Sequence, residues 1–151
     1  MDILGLIKRD HDEVKALFKE FEGLGPNAHV TRAKLAKKIM DSLVKHDEAE
    51  EQTLYDLLKE RTEETDERVK LFEAYTEHEM ASALIKSLHE TDGESEEFLG
   101  KFSALQEAVE HHIKDEEGYV HKFAREVLEK DELEQLGPEF ESAKKQIAVP
   151  N

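Results

Sequence analysis

Cysteine is absent from these 151 residues, which excludes disulfide frameworks, iron–sulfur clusters and zinc–thiolate sites. Proline occurs three times and tryptophan not at all, so little in the chain interrupts long helices. Basic residues are outnumbered, 21 Lys and Arg against 37 Asp and Glu, for a formal charge of −16. A surface of that sign repels nucleic acid and anionic lipid, and neither is expected as a partner. No apolar run approaches the ~20 residues that a membrane-spanning helix needs. The first residues, Met1 to Lys8, lack a basic stretch followed by an apolar one. One cytoplasmic domain, residues 1–151, is expected.

Charged residues make up 38% of the chain and apolar residues another 38%, with Leu, Ala, Glu and Lys abundant, and that mixture reads as helical. Gly23-Leu24-Gly25-Pro26-Asn27, the stretch around 61–66, and Thr91-Asp92-Gly93-Glu94-Ser95 divide the chain. The segments between them predict helices over about 2–23, 30–61, 66–90 and 96–130. Short connections make successive helices antiparallel neighbours. The expected fold is all-α, an up-down-up-down four-helix bundle over about 2–130. Leu136-Gly137-Pro138 should set off a short C-terminal helix, about 139–149, packed over one end.

Each helix carries an inward stripe at spacings of three and four. In the first it is Leu4, Ile7, His11, Val14, Phe18 and Phe21; in the second, Leu35, Ile39, Leu43, His46, Glu50, Leu54 and Leu57. The third gives Leu71, Tyr75, His78, Ser82 and Ile85, and the fourth Phe98, Phe102, Leu105, Val109, His112, Glu116 and Phe123. All four stripes are apolar toward both ends and turn polar near mid-helix. One histidine on an apolar face is ordinarily a core residue bonded to a carbonyl or carboxylate. Four on four helices, with two glutamates, are different. An unpaired buried polar group costs about 1–3 kcal/mol and a carboxylate more, against a net stability of roughly 5–15 kcal/mol. A shared cation compensates all six at once.

The heights agree. His11 lies about 12 residues before the end of the first helix and His46 about 16 after the start of the second, a difference of ~6 Å. The chain also repeats weakly. Asp10-His11-Asp12 resembles Glu77-His78-Glu79 at an offset of 67, and His46-x-x-x-Glu50-Glu51 resembles His112-x-x-x-Glu116-Glu117 at an offset of 66. Each helical hairpin thus supplies one lone His and one His-x-x-x-Glu pair on a single face. Two such halves suggest two metals about a pseudo-twofold axis. Imidazole with carboxylate suits iron, manganese or zinc, and a mixed set with bridging carboxylates favours iron.

On Asp10-His11, His46-x-x-x-Glu50-Glu51 followed by Leu54-Tyr55, Glu77-His78, and His111-His112-x-x-x-Glu116-Glu117, the chain resembles the hemerythrin-like (HHE cation-binding) family over about 2–130. The resemblance implies a non-haem di-iron centre with two bridging carboxylates and a bridging oxo, hydroxo or water oxygen. Its open position would take oxygen, nitric oxide or peroxide. By that match His11, His46, Glu50, His78, His112 and Glu116 are the ligands.

The oxygen carriers of the family place a second histidine four residues from the third-helix one, where this chain has Ala74 and Ser82. Their last carboxylate sits five residues after its histidine, which would be Glu117 rather than Glu116. Binding or sensing a small oxidant or gas is the leading function. Peroxide decomposition or iron supply for cluster repair is the alternative, and a metal-free interaction bundle the third.

Tyr75 and Tyr119 could ligate or hydrogen-bond there, but ordinary core packing is expected of both. His111 should face outward or toward a neighbouring helix. His121, about 180° around from His112, should lie on the surface unless Gly118 distorts the helix. His89 lies about 16 Å further along, and His29 in a loop. Glu51 and Glu117 are either exposed helix charge or holders of imidazole protons.

Overall fold

The structure, a computed structural model, describes residues 1–150. The first rod is α1 (Ile3–Glu22), opened by Asp2, whose carboxylate accepts the Gly5 N–H at 2.9 Å. The second comprises α2 (His29–Glu50), a π-helical turn (Glu51–Tyr55) and α3 (Asp56–Arg61) without interruption. The third is α4 (Thr65–His89). The fourth comprises α5 (Glu96–Asp115), a second π-helical turn (Glu116–Val120) and α6 (His121–Val127), with Ser95 accepting the Phe98 N–H at 3.1 Å at its start. The four rods run alternately up and down, as their short connections require. Among the described residues there is no strand, and no helix is long and apolar enough to cross a membrane.

The terminal helix, α7 (Lys130–Gln146), begins nine residues earlier than the expected 139 and does not stop at Gly137-Pro138. Its start is set by a capping box in which Glu129 and Glu132 satisfy each other's backbone N–H groups. Gly137 is needed for contact rather than for a turn: a Cβ there would come within 3.2 Å of the Met1 carbonyl oxygen. Pro138 forgoes one helical hydrogen bond, at a cost of about 3 kcal/mol. Burial of Leu133, Leu136 and Phe140 on the same helix offsets that cost. Nor does α7 sit over one end. It lies along α1 and α2, with Phe140 edge-on to the His46 ring at 5.5 Å and Arg9 donating to Glu141 at 2.9 Å.

The core divides into two apolar clusters. One joins the start of α1 to α3, α6 and α7 through Ile3, Ile7, Leu54, Leu58, Phe123 and Phe140. The other fills the opposite half with Phe18, Ile39, Leu43, Ile85, Phe102 and Leu105. The polar belt lies between them.

The inward stripes hold up to the belt and then change phase. Beyond Glu50, Tyr55 and Leu58 are fully buried where helical spacing gave Leu57, because the π turn inserts one residue. On α4, Ala81 is buried and Ser82 exposed. Phe140→Ala should lower stability by about 3–5 kcal/mol, since it empties a fully buried site. Met80→Ala, at a position 61% exposed, should change stability by less than ~0.5 kcal/mol. Urea unfolding followed by circular dichroism measures both.

Candidate metal centre

Each of the four core imidazoles is gripped from outside by a carboxylate. His11 Nδ1 donates to Glu117 at 2.7 Å and His46 Nδ1 to Asp10 at 2.9 Å. His78 Nδ1 donates to Glu51 and His112 Nδ1 to Glu77, both at 2.7 Å. An ionised carboxylate only accepts, so every Nδ1 must carry the proton. That assignment leaves every Nε2 as the inward-facing atom.

The pairing follows the repeat. The acid before each lone histidine (Asp10, Glu77) crosses to the other rod's histidine, and the acid after each buried glutamate (Glu51, Glu117) crosses to the lone one. Glu51 and Glu117 are therefore holders of imidazole protons. The parts played by Asp10 and Glu77 were not foreseen; their place one residue before a core histidine is the signal that pointed to them.

Inside this ring the structure brings together all six sequence-predicted residues. His11, His46, Glu50 and Glu116 offer atoms mutually within 4.8 Å, and so do Glu50, His78 and His112. His11 Nε2 stands 3.0 Å from Glu116 Oε1, and His78 Nε2 stands 3.1 Å from Glu50 Oε1. These approaches are close but out of hydrogen-bond alignment. Both oxygens of Glu50, Glu116 Oε1 and His46 Nε2 are buried with no hydrogen-bond partner. His78 Nε2 and His112 Nε2 face each other at 3.1 Å although both Nδ1 atoms are already donors. Two lone pairs at that distance repel unless positive charge lies between them. The donor set of imidazole nitrogen and carboxylate oxygen fits a first-row transition metal.

The first π turn begins immediately after Glu50 and the second at Glu116 itself. Each re-aims the residues that follow. In the first, Tyr55 turns inward, fully buried, stacked on the His78 ring at 5.1 Å, and donates its hydroxyl to Glu116 Oε2 at 2.5 Å. Just past the second, His121, the first residue of α6, turns inward, which corrects the surface placement expected of it. It is only 3% exposed, its ring is parallel to that of His11 at 6.4 Å, and burial holds it neutral. The distortion at Gly118 was the one condition under which the sequence allowed this.

Elsewhere Tyr75 donates to Asp56 at 2.7 Å and Tyr119 is 53% exposed, so neither reaches the belt. His111 lies outside, 3.1 Å from Asp115; His89 is exposed, and His29 is exposed at the first residue of α2 rather than in a loop. Asp47, unforeseen, places Oδ1 3.4 Å from His78 Nε2. Burial pushes its carboxyl up, against the pull of the His78 charge.

A cavity of about 540 Å³ meets the four imidazoles from the side of the second apolar cluster. Val14, Leu17, Leu43 and Val109 line its interior, and Lys38 and Lys145 reach its rim. Glu50, Glu116, Tyr55 and His121 are not part of its lining. The belt therefore has an open face of imidazoles and a closed face of carboxylates.

A four-helix bundle with a histidine–carboxylate cluster at mid-core is the architecture of a cation-binding protein. Residues 2–124 match the family model described as hemerythrin HHE cation binding domain, and the chain belongs to that family. A DNA nickase from Nostoc sp. is 27% identical over 147 residues. That match covers 97% of this chain but only 40% of the relative's length. A hemerythrin HHE cation binding domain-containing protein from Mycobacterium kansasii shares the fold, with a TM-score of 0.81 at 20% identity over 97% of this chain and 86% of that one.

Without metal, protons must neutralise the belt. Burial opposes charge on His11, but Glu116 and Glu117 outweigh it and raise the imidazole from 6.5 to about 9. Burial likewise opposes charge on His46, and Glu50 and Asp10 raise it from 6.5 to about 10. A pKa raised by folding stabilises fully below the unfolded value of 6.5 and loses its effect as pH rises through 9 and 10. The urea midpoint of chelator-treated protein should fall across that window. Metal-loaded protein should keep its midpoint to higher pH, because the cations take the place of those protons. A midpoint flat across the window without metal would contradict this charge assignment.

Proposed function

We propose that this chain holds two iron ions at the belt and uses them to bind or sense a small oxidant or gas: oxygen, nitric oxide or peroxide. In this reading His11 and His46 serve one ion, His78 and His112 the other, and Glu50 and Glu116 bridge them. The observation that carries it is the orientation of the four imidazoles. Each is anchored outside through Nδ1, so four Nε2 atoms converge on three oxygens of Glu50 and Glu116 that have no hydrogen-bond partner. With the imidazoles neutral, six carboxylates surround the site, and a pair of multivalent cations matches that charge far better than one. Manganese or zinc would satisfy the donor set as well, but a mixed nitrogen and oxygen site with shared carboxylates favours iron.

Iron held in this way supplies electron transfer to a bound oxidant. The chain's own residues do the rest. Tyr55 keeps its hydroxyl, the oxygen 2.5 Å from Glu116 Oε2, donating to that carboxylate, and Asp47 stands beside His78 on the cavity side with its carboxyl raised by burial. Val14, Leu17, Leu43 and Val109 give a small apolar molecule a dry path to the imidazole face. A water molecule's share of liquid volume is ~30 Å³. The 540 Å³ therefore exceeds what two ions and a diatomic ligand need. A charge of −16 repels the phosphate backbone, so we infer no contact of this domain with DNA.

Reconstitution with ferrous iron under anaerobic conditions should give two irons per chain by elemental analysis. Replacing His46 and Glu50 together with Ala should abolish retention. Mixing the reduced protein with oxygen or nitric oxide should give a long-lived charge-transfer band that reverses on purging if the chain carries the gas. Immediate oxidation without an adduct would favour turnover, as in peroxide decomposition, or sensing over carriage. A fully stable protein that retains no transition metal would end the metal reading altogether.

A further inference from the structure

The two halves of the belt match in more than their ligands. Both π turns span five residues, the first starting directly after buried Glu50 and the second at buried Glu116, one residue earlier in the repeat. Tyr55 and His121 stand 66 residues apart, the same offset as His46 and His112 or Glu50 and Glu116. Tyr55 lies nearly parallel to the ring of His78, at 9°, and His121 nearly parallel to the ring of His11, at 12°. His11 and His78 are themselves the matched lone histidines. His121 is therefore the counterpart of Tyr55 in the other half, delivered to the closed face by the same backbone device.

The hydrogen bonding is not matched. Tyr55 donates across the belt to Glu116 Oε2, the glutamate of the other half. The equivalent acceptor for His121 is Glu50. Both oxygens of Glu50 are buried and unpartnered, and so is Nε2 of His121. A buried donor and a buried acceptor do not both stay orphaned in a folded protein without a reason. Two cations at the belt would draw the Glu50 carboxylate toward that donor.

Resting on the reading that the belt holds two cations, we propose that His121 is a positioning residue whose Nε2–H holds the Glu50 carboxylate from the closed face, as Tyr55 holds Glu116. One bridging carboxylate is thus fixed by a phenol and the other by an imidazole. The two bridges are consequently held by unlike groups although the ligand repeat is nearly twofold.

Cobalt(II) titration of the chelator-treated protein, read by visible absorption against a competing chelator, tests this. Wild type should bind two cobalt ions. His121→Phe keeps the ring and its bulk but removes the donor, and should weaken binding of the cobalt pair by about 10–100-fold. His121→Tyr should restore it. Undiminished binding of both ions by His121→Phe would overturn the inference while leaving the metal reading intact. A wild type that binds no cobalt would overturn both. Nitrogen-15 histidine spectra of the zinc-loaded wild type provide a check that needs no variant. His121 should carry its proton on Nε2, and a proton on Nδ1 alone would overturn the assignment even if the phenylalanine variant failed to fold.

Discussion

Two glutamates lie in the dry middle of a helical bundle, and four imidazoles are turned toward them by acids on the outside. The rest of the structure is arranged around keeping that charge compensated. Burying a lone carboxylate is costly enough to unfold a domain of this size. The outer acids Asp10, Glu51, Glu77 and Glu117 fix the tautomer of each ring, so that the inner nitrogens can meet a cation or, in its absence, a proton. They also link all four rods, because each accepts from a histidine on a different rod. The same contacts that prepare a metal site therefore lock the bundle's register at mid-height.

The apolar clusters on either side give the belt its two unlike faces. On one side α7, the start of α1 and the ends of the second and fourth rods pack tightly about Glu50 and Glu116. On the other, a cavity lined from α1, α2, α4, α5 and the C-terminal part of α7 reaches the imidazoles. The terminal helix takes part in this directly: Lys144 donates to Asp10 at 2.8 Å while Asp10 accepts from His46, and Phe140 braces the same ring. A segment expected as a cap over one end is instead a lateral support of one quarter of the site.

The paired π turns are the local distortion that makes the closed face possible. In an undistorted helix, the residue five after a buried glutamate points about 140° away from it. One extra residue per turn brings Tyr55 and His121 back to the core, together with Leu58 and Val120. π turns are uncommon and gather at functional sites. Both fall at or just after the buried glutamate of their half, within one residue of register in the repeat.

The helical class, the four rods and the six belt residues were legible in the chain itself, because each depends on periodicity and on which residue types an apolar stripe tolerates. His11, His46, Glu50, His78, His112 and Glu116 interrupt such stripes at one height, and that pattern needs no coordinates to be seen. Tertiary structure alone decided what depends on contacts between rods. Asp10 and Glu77 look like surface acids until the neighbouring rod supplies their histidines. Glycine and proline at 137 and 138 read as a stop until packing against the start of α1 repays the strained turn. His121 reads as exposed because a 3.6-residue period places it there. Only the π turn, a distortion with no signature in spacing, carries it inside.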